Sequence, residues 1–308
     1  MKVGFIGLGT MGDPIALNAI RGGNELVVHD IRRESATPHL ELGAEWADTP
    51  REVAQQSEIV FTSLPGPVEV EAVALGEDGL HEGLTEGKVY LDLSTSSPEM
   101  IRQIHERLAP RGIHVLDAPV SGGPEGARTG KLAIWVGGDR EVFDRVKPTL
   151  DSMGDQPYYV GPIGAGAVAK LVHNCAGYII QAGLAEVFTM GVKAGVDPLG
   201  LWLAVKQGAQ GRRGAFDRLA DHFLIDSYDP PDFALRLARK DMDLACQVGR
   251  QYDVPMKLAN LALAEMTEAL NRGWGDRDSR VAMILQEERA GVQVNTTAEA
   301  IQQALDEA

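Results

Sequence analysis

The sequence predicts an α/β fold, a doubly wound and mainly parallel sheet followed by an all-α domain. Three observations predict it. Short apolar runs alternate with helix-like segments through the first half, a glycine-rich turn follows the first of those runs, and beyond Gly161-Pro162 the apolar residues recur only at helical spacing. The runs are VGFIGL from Val3, LVVHD from Leu26, IVFTSL from Ile59, VYLDLS from Val89, HVLDAPV from His114 and LAIWVGG from Leu132. Their apolarity is continuous instead of alternating, as in strands covered on both faces, and strands of that kind separated by helices build βαβ units. A chain of 308 residues, at about 150 residues per domain, is expected to form two domains, 1–162 around the sheet and 163–308 helical. Residues 163–195 read as one long interdomain helix, because no proline interrupts the pattern from Gly164 onward. About 30 residues at about 1.5 Å each extend about 45 Å, enough to pass from one domain into the next. Helical patterns then continue to Ala308, broken at Gly208 to Gly214, at Asp229-Pro230-Pro231 and at Asn271 to Gly275.

Composition removes several function classes. With 44% apolar and 24% charged residues the chain resembles a soluble globular protein, and no run approaches the roughly 18 apolar residues of a membrane span. Asp and Glu number 44 against 29 Lys and Arg, a net charge of -15, so the summed field repels polyanions and no nucleic-acid partner is expected. Cys175 and Cys246 stand alone in helix-like apolar contexts, which suits a reducing compartment better than a disulfide or zinc framework. The first residues show no signal-peptide pattern, so a cytoplasmic protein without a metal is expected.

Gly7-Leu8-Gly9-Thr10-Met11-Gly12 matches G-x-G-x-x-G between a predicted strand and a predicted helix from Met11 to about Arg21. Glycines there allow a tight turn, close approach of a pyrophosphate to the backbone and close helix packing, while the helix start offers unpaired N–H groups to the anion. The second strand ends at Asp30, where a carboxylate accepts hydrogen bonds from an adenosine ribose and repels a 2′-phosphate. NAD is therefore favoured over NADP, although Arg32 and Arg33 follow at once and an arginine suits that phosphate. Later strand ends supply Leu64-Pro65 and Thr95 as cofactor contacts, with plain turn roles as the competing reading. Ser96 begins an S-x-x-E pattern and reads as a helix cap.

Asp117-Ala118-Pro119-Val120-Ser121-Gly122-Gly123 ends a strand in a hydroxyl and two small residues whose N–H groups can cradle a carboxylate, or it is only a glycine turn. In the long helix Lys170, His173, Asn174 and Gly177 fall on one stripe. A lysine that exchanges a proton with a substrate oxygen, beside an amide that orients the same oxygen, suits carbonyl–alcohol interconversion. A solvated helix face is the competing reading. Arg212 and Arg213, in the glycine-rich break, suit an anionic group at the far end of a substrate, or form a surface pair.

These residues together resemble the β-hydroxyacid dehydrogenases, which include 3-hydroxyisobutyrate dehydrogenase and the glyoxylate and tartronate semialdehyde reductases. FIGLGTMGDPIALNAI is similar to the family's cofactor signature, DAPVSGG to its substrate-binding signature, GAGAVAKLVHN from Gly164 to its catalytic signature, and FALRLARKDMDLA from Phe233 to its carboxy-terminal K-D motif. The resemblance implies a Rossmann domain joined by a long helix to an all-α domain, with the active site in the cleft. It implies Lys170 as general acid/base, Asn174 orienting substrate, Ser121, Gly122 and Gly123 binding carboxylate, and Lys240 approaching cofactor and substrate. A small carboxylate substrate and a homodimer or homotetramer are expected.

Two residues depart from the pattern. His173 stands where 3-hydroxyisobutyrate dehydrogenases typically carry Asn, and KLVHN is similar to the 6-phosphogluconate dehydrogenases, whose further glutamate is replaced here by Gly177. An oxidative decarboxylase of that kind and a non-catalytic dinucleotide-binding module are the alternatives, and Lys170 beside Asn174 speaks against the module.

Overall fold

The computed structural model describes residues 2–208 and 219–306. Strands β1 (Lys2–Ile6), β2 (Glu25–His29), β3 (Glu45–Trp46), β4 (Ile59–Thr62), β5 (Val89–Asp92), β6 (His114–Asp117), β7 (Val120–Ser121), β8 (Ala133–Gly137) and β9 (Gln156–Gly161) form one sheet in the order 3-2-1-4-5-6-8-7, with β9 on β8. β1 to β6 pair in parallel and β8 runs antiparallel to β6 and β7. The strand order reverses between β1 and β4, and the crevice beyond the carboxyl ends at such a reversal is where doubly wound sheets bind ligands.

Helices α1 (Gly12–Arg21), α2 (Thr37–Glu41), α3 (Pro50–Gln56), α4 (Pro67–Leu75), α5 (Leu80–Gly83), α6 (Pro98–Leu108), α7 (Gly123–Thr129) and α8 (Arg140–Leu150) connect these strands. Each central strand is apolar on both faces because both are covered. Val3, Phe5, Val28, Phe61, Leu91 and Leu116 enter one buried cluster, while Ile6, Val27, Val60, Tyr90 and Val115 enter the other.

The six apolar runs are all strands, the fifth of them supplying both β6 and the start of β7, and two further strands, β3 and β9, lack that signal. β3 has two residues, and β9 alternates exposed and half-buried positions around Pro157, as an edge strand can. HVLDAPV divides at Ala118-Pro119, since Pro119 has no N–H for the ladder, and β7 turns to pair with β8. The cap assigned to Ser96 belongs to Ser97, whose Oγ accepts the Met100 N–H at 3.0 Å. Pro98 is the first helical residue, which places the cap immediately before it.

The chain divides into two units, Met1–Val172 and His173–Ala308. The division falls within α9 (Ala165–Lys193). The α-helices among the described residues of the second unit are the rest of α9, α10 (Pro198–Gln207), α11 (Leu235–Gln251), α12 (Lys257–Asn271), α13 (Ile284–Ala290) and α14 (Ala298–Asp306), with one isolated bridge between Ala234 and Asp278. Phe188, Trp202, Phe223, Leu224 and Met283 are among the residues of its core. Both cysteines are buried free thiols.

Candidate active site

The turn from β1 into α1 divides its three glycines among three tasks. Gly7 has φ +93, and a Cβ there would lie 2.3 Å from the Ser63 carbonyl oxygen, so the chain turns tightly against the end of β4. At Gly12 a Cβ would meet the Gly7 carbonyl oxygen at 1.8 Å, the mark of a helix start packed directly on the turn. Gly9 differs, because no atom lies within 4 Å of its Cβ position. That open backbone is what close approach of a pyrophosphate requires, so the turn fits a dinucleotide. Leu8 is buried beneath it, Met11 packs on the core, and Thr10 is exposed.

Asp30 ties the turn to the end of β2. Its Oδ2 accepts the Leu8 N–H at 2.7 Å and its Oδ1 the Arg32 N–H at 2.8 Å. Each carboxylate oxygen keeps a further lone pair for a ribose hydroxyl. Arg32 Nε lies 4.0 Å from Asp30, and Arg33 sits over the Trp46 ring at 5.3 Å with Asp48 at 3.9 Å. Leu64 places a side-chain methyl 3.1 Å from the Gly7 Cβ position, and its N–H donates to Ser94 Oγ at 2.9 Å. Pro65 is exposed and Thr95 half-buried at neighbouring strand ends.

Beneath these loops lies a buried polar group that the sequence reading omits. Thr62 Oγ1 donates to Asp92 Oδ1 at 2.8 Å, the Ser94 N–H reaches the same oxygen at 3.1 Å, and Tyr90 Oη lies 3.0 Å from Thr62 Oγ1. Thr62 has one proton and gives it to Asp92, so the tyrosine donates to the threonine. Burial pushes the Asp92 carboxyl up to about 6, against the hydrogen bonds from Ser94 and Thr62 that hold it down. A strand-terminal aspartate looks like an ordinary turn residue, and its partner Thr62 stands 30 residues away.

Ser121 is half-buried and pairs with Ala133, while Gly122 and Gly123 are exposed. Gly123 has φ +62 and open space where a Cβ would stand, so its face of the turn is accessible to a ligand. Lys170 is half-buried on α9 in the same unit.

In the second unit Asn174 and Lys240 meet on one carboxylate. Asn174 Nδ2 donates to Asp241 Oδ2 at 2.7 Å, and Lys240 Nζ lies 2.8 Å from Asp241 Oδ1. Asp241 is 1% exposed, so the two contacts supply the pairing that a buried charge requires. Asn174 Oδ1 lies 3.0 Å from His173 Nδ1. The loop entering α11 is held in turn by buried Asp278, which accepts the Asp232 and Phe233 N–H groups at 3.0 and 3.1 Å. Sequence reading quoted Asp241 within the K-D motif and missed it as a site residue. Arg212 and Arg213 lie outside the described residues.

Residues 2–161 match the family model for the NAD binding domain of 6-phosphogluconate dehydrogenase, and residues 164–287 match that for the NAD-binding of NADP-dependent 3-hydroxyisobutyrate dehydrogenase. The chain is 33% identical to 2-(hydroxymethyl)glutarate dehydrogenase of Eubacterium barkeri over 295 residues, covering 96% of this chain and 98% of that one. It is 34% identical to 3-hydroxyisobutyrate dehydrogenase of Pseudomonas aeruginosa over 275 residues, covering 84% and 89%. Among solved structures, 3-hydroxyisobutyrate dehydrogenase of Mycobacterium tuberculosis with L-serine superposes with a TM-score of 0.82 at 26% identity, covering 92% of this chain and 98% of that one.

Proposed function

The chain belongs to the β-hydroxyacid dehydrogenase family and is an NAD(P)-dependent oxidoreductase acting on a CH–OH donor; from that premise we propose that it interconverts a 2-substituted 3-hydroxypropionate and its semialdehyde, with NAD favoured. The carrying observation is the pairing of the open Gly9 backbone with the accessible Gly123 turn in one unit, a place for a dinucleotide and a place for a carboxylate. 3-Hydroxyisobutyrate, 2-(hydroxymethyl)glutarate and L-serine, the compounds named with the relatives, share the skeleton HOCH2–CH(R)–COO⁻ and differ only in R.

Ser121 and the Gly122 and Gly123 N–H groups bind the carboxylate. During oxidation Lys170, as the neutral amine, takes the hydroxyl proton, and during reduction, as the ammonium, it returns that proton to the carbonyl oxygen. A bound nicotinamide would supply the hydride acceptor for oxidation and the hydride donor for reduction. Asn174 orients the reacting oxygen, with its amide set by Asp241. Lys240 serves substrate and cofactor from the same anchor.

Gly7 to Gly12, Leu64, Pro65 and Thr95 hold the dinucleotide, and Asp30 favours NAD by repelling a 2′-phosphate. Engagement of Arg33 with Trp46 and Asp48 supports that preference. A homodimer or homotetramer is supported by the exposed apolar side chains of Ile180, Leu258 and Leu261. The test is reduced-nicotinamide absorbance across acids of differing R with both cofactors. A higher kcat/KM with NADP on every acid would overturn the reading of Asp30, and no turnover of any of them would overturn the substrate class.

A further inference from the structure

The two groups proposed to hold the substrate, the Ser121 to Gly123 turn and Lys170, both trace back to one buried carboxylate. Asp117 ends β6, four residues before Ser121, and is 2% exposed. Its Oδ1 accepts the Gly164 N–H and its Oδ2 the Ala167 N–H, both at 2.7 Å. Gly164 immediately precedes α9, and Ala167 is the third residue of that helix, one turn before Lys170. The first amides of a helix have no acceptor within it, and a side chain at the cap ordinarily supplies one. Glycine at 164 has none to offer, so the strand end 47 residues earlier caps the helix.

The surrounding backbone leaves the carboxylate little freedom. A Cβ on Gly137 would stand 2.5 and 2.9 Å from its two oxygens, and one on Gly166 would stand 2.9 Å from Oδ2 and 2.2 Å from the Trp135 carbonyl oxygen. Both glycines therefore admit the Asp117 side chain between β8 and the start of α9. Arg102 Nε donates to the Ile163 carbonyl oxygen at 3.3 Å beside the same junction. Burial pushes the Asp117 carboxyl up, and the N–H groups of Ala167 and Gly164 oppose that change.

We infer that Asp117 is a positioning residue, fixing the separation between the carboxylate-binding turn and Lys170 by clamping the start of α9 to the strand end that leads into the turn. The inference rests on the reading of Ser121 to Gly123 and Lys170 given above. A group that only kept α9 folded would affect every substrate alike. A group that sets a separation affects the substrates held at both points.

Asp117→Asn keeps the shape and leaves one acceptor oxygen for two N–H donors. The experiment measures kcat/KM for 3-hydroxyisobutyrate and for its methyl ester, with the NADH dissociation constant alongside, in wild type and variant. A misplacement on the order of 1 Å costs about a hundredfold in rate. The acid is accordingly expected to lose at least about tenfold, the ester less than about threefold, and NADH affinity to hold. Equal losses on acid and ester, or no loss on the acid, overturn the inference. A wild type that turns over the ester as well as the acid overturns the underlying reading of the turn, and the inference with it, before the variant is made. Should Asp117→Asn not fold, native-state amide exchange on the wild type decides: Gly164 and Ala167 N–H groups exchanging as slowly as those of β6 are expected, and free exchange of either overturns the clamp.

Discussion

In the first unit the groups that face the proposed ligands are largely main-chain ones at the ends of strands, whereas in the second they are side chains on helices. Gly9 and Gly123 offer open backbone, while buried Asp92 joins the ends of β4 and β5 and buried Asp117 ends the strand that leads to the Gly123 turn. Asn174 and Lys240 instead share a single carboxylate, Asp241. A site made of backbone tolerates many side-chain changes and fails when its supports move. One made of side chains fails residue by residue.

The largest effect expected is on the boundary case, Lys170, a side chain carried by the first unit. Removing a general acid/base costs typically about 10² to 10⁴-fold, so Lys170→Ala should lose that much kcat while NADH affinity, measured by fluorescence, is retained. Near-normal kcat with chemistry rate-limiting would remove the lysine from the mechanism.

The second effect tests the supports of the first unit through pH. An ordinary aspartate titrates near ~4, but Asp92 does so at about 6. The folded state therefore keeps a proton that the unfolded chain has already released, which favours folding in acid, and this contribution is lost as pH rises from about 4 through 6. A difference of about two in pKa is worth about 3 kcal/mol. Asp92→Asn has no such titration, so its stability relative to wild type should grow by up to that amount between pH 4 and 7 in urea titrations. A pH-independent difference would mean that Asp92 is not desolvated as described.

Asp92 and Asp117 also show where reading the sequence stops. Central strands were legible because continuous apolarity follows directly from burial on both faces, and the glycine turn because each glycine answers a separate steric demand. β3 and β9 were not, since an edge strand needs no such run. A carboxylate at the end of a strand reads as a turn residue until its donors are known, and those of Asp117 lie 47 and 50 residues later. Lys170 and Asn174 stood out by helical spacing, but the partner that orients the amide lies 67 residues away. The Ser96 assignment failed by one residue because Pro98, not the S-x-x-E spacing, fixes the helix start.

A third and smaller effect is expected for the side-chain anchor of the second unit. Asp241→Ala removes the carboxylate that Asn174 and Lys240 share, and misplacement of orienting groups should lower kcat about ten- to a hundredfold. Asp241→Asn, which retains an acceptor for Asn174, should recover part of it. Equal kcat in the two variants would assign the role of Asp241 to Lys240 alone.

The smallest effect separates two of the three glycines of the turn. Gly9→Ala should weaken NADH binding about tenfold and leave the midpoint of thermal unfolding in place, because a methyl there meets only the ligand. Gly12→Ala should cost about 1–3 kcal/mol of stability, because its methyl meets the Gly7 carbonyl oxygen. Unchanged NADH affinity in Gly9→Ala would displace the dinucleotide from this turn.

The central claim is that a carboxylate and a hydroxyl on the carbon β to it are recognised together, and one comparison tests it most directly. Wild-type kcat/KM is measured with NAD for 3-hydroxyisobutyrate, its methyl ester and 2-hydroxyisovalerate. Loss of a bound carboxylate should cost more than the ~1 kcal/mol of an ordinary hydrogen bond, so the acid is predicted to exceed the ester by at least about tenfold and the 2-hydroxy acid to be turned over more slowly still. Equal turnover of the ester, or a clear preference for 2-hydroxyisovalerate, would contradict the account.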